Sequence, residues 1–325
     1  MPGRYDRGMS FFALLVALVL EQARPLSSGN AVHAGMRGWL RWVVRNLDAG
    51  REPHGWLAWG VAVGLPTAVA LGVHWLLLAQ LGWFAAMVWS VVVLYVSLGF
   101  RQFSHHFTDI RDALEAGDED EARRLLAQWR QIDASELPRR EIIRHVIEYS
   151  VLAAHRHVFG VLAWFSILAA FGFGPAGAVF YRLAEFVARY WQHVSQRQGQ
   201  PVSDAVRTAA CQAWHGVDWL PARITALGFA IVGSFEDAID SWRSHEAQLD
   251  ASNDGVILAA TAGAVNVRLG AAAPVTGLDE PVEAPILVRP EPELAHLRSI
   301  VGLVWRSVVM WMLLLALLTL ARLLG

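Results

Sequence analysis

The side chains best suited to chemistry lie in residues 147–165, IEYSVLAAHRHVFGVLAWF, an apolar stretch carrying Glu148 near its start and His155-Arg156-His157 at its middle. Charge inside a hydrophobic segment is costly and marks either a polar interior or a site. Two imidazoles could ligate a metal, and a carboxylate could hold a cation or move a proton. On one α-helix, however, His155 and His157 project about 200° apart and do not reach one ion without a partner from elsewhere. Interhelical hydrogen bonding is the simpler role for both. Glu148 and Arg156 lie two turns apart and can both face a helix-bundle interior, where a structural ion pair is favoured over acid–base catalysis.

The elements that must position these groups are set by an unusually apolar chain. Of its 325 residues, 55% are hydrophobic and only 17% charged, too greasy for an ordinary soluble domain. The net charge is −2 and there is no basic stripe, which argues against nucleic acid as a partner. Every basic residue is Arg. A single Cys211 excludes an internal disulfide or a cysteine metal cage.

The apolar residues fall in long runs that predict an all-α, polytopic integral membrane bundle with cytoplasmic amphipathic helices. Residues 56–100 hold only His74 and Gln80 as strongly polar groups, enough length for two spans and a tight turn near Gln80-Leu81-Gly82. Pro66 inside the first of these is tolerable in a membrane helix. The predicted spans are near 9–22, 56–78, 82–100, 149–171, 175–191 and 300–321. The run 11–20 ends in Glu21 and Arg24 rather than a cleavage site, which reads as a retained helix. Arg-rich flanks on both sides of the 56–100 hairpin place them in the cytoplasm. The fifteen Trp residues fit aromatic belts at the membrane interfaces.

Between the spans, the cytoplasmic insert 101–145 contains a soluble helix pair. One stripe is Ile110, Ala113 and Leu114; the other is Ala122, Leu125, Leu126 and Trp129. Gly117 suits the end of the first and Asp118 the cap of the second. Another helix starts near Pro138. The GFGPAG run is a turn between membrane helices and not a dinucleotide loop, since no strand precedes it. Residues 192–203 read as a loop, followed by a helix around 204–215. Residues 219–233 are short for a span and contain Arg223, so re-entrant packing competes equally with crossing. There Asp218 is expected to cap a proline-containing helix start. Residues 235–249 form an amphipathic helix with Ile239, Trp242 and Leu249 inward. Ser-Asn-Asp at 252–254 caps a small-residue helix able to approach its neighbour closely, with Asn253 a capping residue in its own right. Residues 271–292 are a linker, and His105-His106 sits at a membrane boundary.

Several of these segments resemble one family. ALEAGDEDEARRLLAQWRQID (113–133), GPAGAVFYR (174–182), DWLPARITAL (218–227) and SNDGVILAATAGAVNVRLG (252–270) are similar, in order, to segments of the CobD/CbiB membrane proteins of cobalamin biosynthesis and their AmpE-like relatives. The resemblance implies a single membrane domain over 1–325. It also implies an ATP- and Mg²⁺-dependent amide synthesis joining a corrinoid carboxylate to an aminopropanol phosphate, for which carboxylates must hold the cation against phosphates. The positions that match the family's polar residues are His106, Asp133, Glu148, Asp218, Arg223 and Asn253.

The departures fall on the chemistry. Where the family carries Glu-Asn-x-x-Asp-Gly, this chain has Leu152, Ala153, Arg156 and His157, and a guanidinium does not bind Mg²⁺. Trp214 and His215 replace paired acids. The altered-site positions are therefore His155, Arg156 and His157, with no catalytic residue and no metal ligand assigned. The expected role is an AmpE-like signalling or accessory component without a cofactor, in the bacterial inner membrane, with the bilayer and a membrane or cytoplasmic protein as partners. The alternative is an active adenosylcobinamide-phosphate synthase type enzyme using ATP and Mg²⁺ on a corrinoid. A small-molecule transporter is third, weakened by the lack of an evident inverted repeat.

Overall fold

Proline in a helix interior removes an amide donor and strands the carbonyl four residues earlier. The chain meets this cost twice in one way. The computed structural model describes residues 9–23, 31–130, 132–197, 202–246, 252–270 and 289–324. In it Pro66 lies inside helix α3 (Glu52–Leu81) and Pro221 inside α10 (Asp204–Val232). The carbonyl stranded by Pro66 is that of Ala62, and the Trp39 indole donates to it at 3.2 Å. The carbonyl stranded by Pro221 is that of Val217, and the Trp164 indole donates to it at 3.0 Å. Both helices therefore run on through their prolines.

That device corrects two sequence expectations. The separate helices near 204–215 and 219–233 are one continuous 29-residue helix. Asp218 consequently stands in mid-helix and caps nothing. We expect Trp164→Phe to cost about 1–2 kcal/mol through the orphaned carbonyl. In a Pro221→Ala background, where the amide returns, most of that loss should vanish, a coupling readable from thermal midpoints in detergent.

All described regular structure is helical. Three helices are long and apolar enough to cross a membrane: Glu52–Leu81, Arg139–Ala170 and Leu294–Ala321. Shorter apolar helices cover Phe11–Ala23 and Trp83–Ser97. Leu65, Val69, Leu76, Leu313 and Leu317 are among the exposed large apolar side chains of the long helices, as surfaces solvated by lipid would be. The expected span at 175–191 falls in α9 (Ala176–Arg197), which carries Arg182, Glu185 and Arg189 and is not among these apolar helices. Helix α9 also continues to Arg197, past the start of the expected 192–203 loop.

The chain divides into two compact units. The first comprises residues 1–102, 154–221 and 311–325. It holds α1 (Met9–Ala23), α2 (Ala31–Leu47), α3, α4 (Trp83–Ser97), a π-helical turn His155–Phe159, α8 (Gly160–Ala170) and α9. The turn between α3 and α4 is made at Gly82, whose φ of +82° only glycine adopts easily. The GFGPAG turn likewise uses Gly172 and Gly174 at positive φ. A Cβ at Gly174 would sit 2.6 Å from the His74 ring, so the buried His74 of α3 packs on this turn.

At the end of α2, Asp48 accepts from the Ser203 amide at 2.9 Å and the Gly50 amide at 3.0 Å. Burial pushes its carboxyl up, but hydrogen bonds from Ser203 and Gly50 outweigh this and hold it below the ordinary value of 3.8. A depressed carboxylate stabilises the fold above its unfolded pKa and loses that contribution as pH falls through the lower folded value. The stability gap between the natural protein and Asp48→Ala should therefore be full at pH 7 and narrow progressively below about pH 4, as thermal midpoints across pH would report.

The second unit comprises 103–153 and 222–310. Its helix pair is as the stripes predict, within α5 (Phe100–Glu115) and α6 (Glu119–Arg130). Ile110, Leu114, Ala122 and Leu126 are buried, Gly117 has φ +81°, and Asp118 caps α6 by accepting from the Glu121 amide at 3.0 Å. Helix α7 (Arg139–Ala154) starts after Pro138 as expected. Helices α11 (Phe235–Glu246) and α12 (Asn253–Ala264) pack at backbone contact, because a Cβ at Gly263 would meet the Asp237 carbonyl at 2.2 Å. Trp242 closes a core of Ala226, Val256 and Ala260. Leu249 and residues 271–288 of the expected linker lie outside the described residues. The last long helix is α13 (Leu294–Leu324).

Candidate functional site

A π-helical turn widens a helix by one residue and shifts which side chains face inward, often at functional positions. Here it covers His155–Phe159, the middle of the charged apolar stretch. His155 is fully buried, and its Nε2 lies 2.8 Å from Oδ1 of the equally buried Asp218 on α10. Tyr181 of α9 donates its hydroxyl to the same oxygen at 2.8 Å, and lies 3.3 Å from His155 Nε2. Among the described residues, Asp218 Oδ2 is buried with no hydrogen-bond partner. Gly160 makes this geometry attainable, since any Cβ there would stand 2.1 Å from the Tyr181 hydroxyl and ring. Interhelical hydrogen bonding is thus what His155 does, as the sequence suggested.

Beside this group lies an ionic cluster that the sequence reading missed. Glu185 is 1% exposed, accepts from Arg182 at 2.9 Å and forms an ion pair with Arg189 at 2.5 Å. Arg156 and His157 lie within electrostatic reach of it. Spacing could have revealed it, because 182, 185 and 189 are i, i+3 and i+7 on one helical face.

The remaining sequence-predicted positions fall in the second unit, and the structure brings some of them together. Arg223 donates to Asn253 Oδ1 at 3.2 Å and to Glu246 at 3.0 Å. This corrects the expected capping role of Asn253: Ser252 caps α12 by accepting from the Gly255 amide, leaving the Asn253 side chain to the guanidinium. Glu148 accepts from the Gly270 amide at 2.8 Å, and Arg144 and His145 approach it to 4.0 Å. Glu148 and Arg156, expected as an ion pair, belong to different units, and Glu148 instead meets the Gly270 amide, Arg144 and His145. His106 is exposed and stacks on Trp129, which meets Tyr149 edge-on. Asp133 is occupied by an Asx turn to Ser135 at 3.0 Å.

No group of three or more His, Cys, Asp or Glu is gathered as a metal cage among the described residues. At the altered positions a cation would meet guanidinium groups around a single carboxylate, and Glu148 already spends its carboxylate on an amide and Arg144. In the second unit the Arg223 guanidinium is held by Asn253 and Glu246.

The fold and its buried polar positions define an all-α protein whose long apolar helices can cross a membrane. The family model for CobD/Cbib protein matches residues 11–304, and the chain belongs to this family. It is 32% identical over 280 residues to Cobalamin biosynthesis protein CobD of Stutzerimonas stutzeri, covering 83% of this chain and 84% of that protein. It is 31% identical over 221 residues to the protein of that name in Chromobacterium violaceum, covering 68% and 67%. A third, in Photorhabdus laumondii, is 29% identical over 233 residues, covering 70% and 69%. No solved structure matches. These relatives carry the cobalamin name, and none of them is described as AmpE-like.

Proposed function

We propose that this chain is a multi-pass protein of the bacterial inner membrane that serves cobalamin biosynthesis as an accessory to the ATP- and Mg²⁺-dependent amide synthesis, not as its catalyst. The pathway is supported by relatives named for cobalamin biosynthesis that align over most of their own length. The accessory role is supported by one observation, that Arg156 stands with Arg182 and Arg189 near the single Glu185, at a position where the resemblance implies a metal-holding carboxylate. The Arg223–Asn253–Glu246 group supports contact with an anionic partner such as a corrinoid carboxylate. The AmpE-like signalling role has no support in the relatives and becomes an outcome of the test.

Purified full-length protein would be given adenosylcobyric acid, ATP, Mg²⁺ and aminopropanol phosphate, and the corrinoid pool of a deletion strain would be profiled. We expect no amide product in vitro and a reduced late corrinoid pool in the strain. Product formation would establish the synthase reading instead. An unchanged corrinoid pool would remove the chain from the pathway and favour the signalling role.

A further inference from the structure

The first unit contains a groove of about 490 Å³. This size falls within the roughly 300–1,000 Å³ of small-molecule sites. Its wall is apolar, including Leu65 and Val69 of α3, Val92 and Val96 of α4 and Phe186 of α9; its charged member is Arg182, with His33 of α2 beside it. Leu65, Val69 and Val92 are exposed to what surrounds the protein. Since α3 is long and apolar enough to cross a membrane, those surroundings are acyl chains over much of its length.

The polar end has the character of a membrane interface. Helix α2 carries Arg37, Arg41 and Arg45 and a stacked Trp39–Trp42 pair, the composition of a basic helix lying at headgroup depth. Arg37 lies within electrostatic reach of His33. Arg182 shares Glu185 with Arg189, so the described cluster sets two guanidinium charges against one carboxylate and stays positive.

We propose that the groove holds one acyl chain of an anionic phospholipid, with the phosphate seated at Arg182. Charge complementarity selects the occupant: a neutral tail for an apolar wall, and an anionic head for a cationic end. A zwitterionic lipid offers the same tail but brings its own cation to that end.

The test is native mass spectrometry of the full chain in mild detergent, titrated with phosphatidylglycerol, with phosphatidylcholine of the same chains, and with inorganic phosphate. We expect one retained phosphatidylglycerol, phosphatidylcholine weaker by roughly tenfold, as a charge-assisted hydrogen bond implies, and no displacement by phosphate. Val69→Trp fills the groove from its exposed side and should abolish retention while leaving the thermal midpoint in place. Arg182→Gln should erase the preference between the two lipids. Equal retention of both lipids by the natural protein, displacement by phosphate, undiminished binding in Val69→Trp, or a second copy of the chain in place of lipid would each overturn the proposal.

Discussion

Glu185→Gln is expected to destabilise the protein by roughly 3–5 kcal/mol, the loss typical when one partner of a buried ion pair is removed. The carboxylate is 1% exposed and serves two guanidinium groups at once. Glutamine keeps the volume and one acceptor but removes the charge, leaving Arg182, itself only 15% exposed, without its counter-ion. Replacing both residues, as in Arg182→Leu with Glu185→Leu, should recover much of the loss, because an apolar pair of similar volume no longer buries that charge pair. Glu121→Gln makes a control: that residue pairs with Arg124 on the surface of α6, and its replacement should leave the thermal midpoint within error. Equal shifts for the two variants would mean that Glu185 is solvated and its pairs are ornamental.

Asp218→Leu is expected to cost roughly 3 kcal/mol, from leaving two buried donors unmade at about 1–3 kcal/mol each. One of its oxygens takes both the Tyr181 hydroxyl and the His155 imidazole in a region with no solvent exposure. Tyr181→Phe removes one hydrogen bond and no partner's charge, so it should cost about 1 kcal/mol. The triple variant His155→Leu, Tyr181→Phe, Asp218→Leu should be more stable than Asp218→Leu alone, since no donor is stranded. Thermal midpoints in detergent decide the order, and an Asp218→Leu loss no larger than that of Tyr181→Phe would reduce the group to simple packing.

These two clusters show what could be read from the chain and what could not. The soluble helix pair was legible because its signals are local: an i, i+3, i+4 apolar stripe, a glycine to end one helix and an aspartate to cap the next act within four residues of themselves. The same locality made the Gly82 and GFGPAG turns readable, and the apolar runs readable as helices able to cross a membrane. Composition carried the class, since nothing but lipid solvates so much apolar helix surface.

Whatever depended on a partner far along the chain was decided only by the tertiary structure. Pro221 reads locally as a helix start, and only the Trp164 indole, 53 residues away from Val217, lets α10 continue. Asp218 therefore changed from a cap to a buried acceptor for His155 and Tyr181, 63 and 37 residues away. Asn253 gave up its capping role for a guanidinium 30 residues away. The sequence determined that residues 147–165 place charge inside an apolar helix. The tertiary structure alone decided the company of that segment, because a π turn re-aims side chains and a buried charge takes whichever partner the packing brings within hydrogen-bond reach.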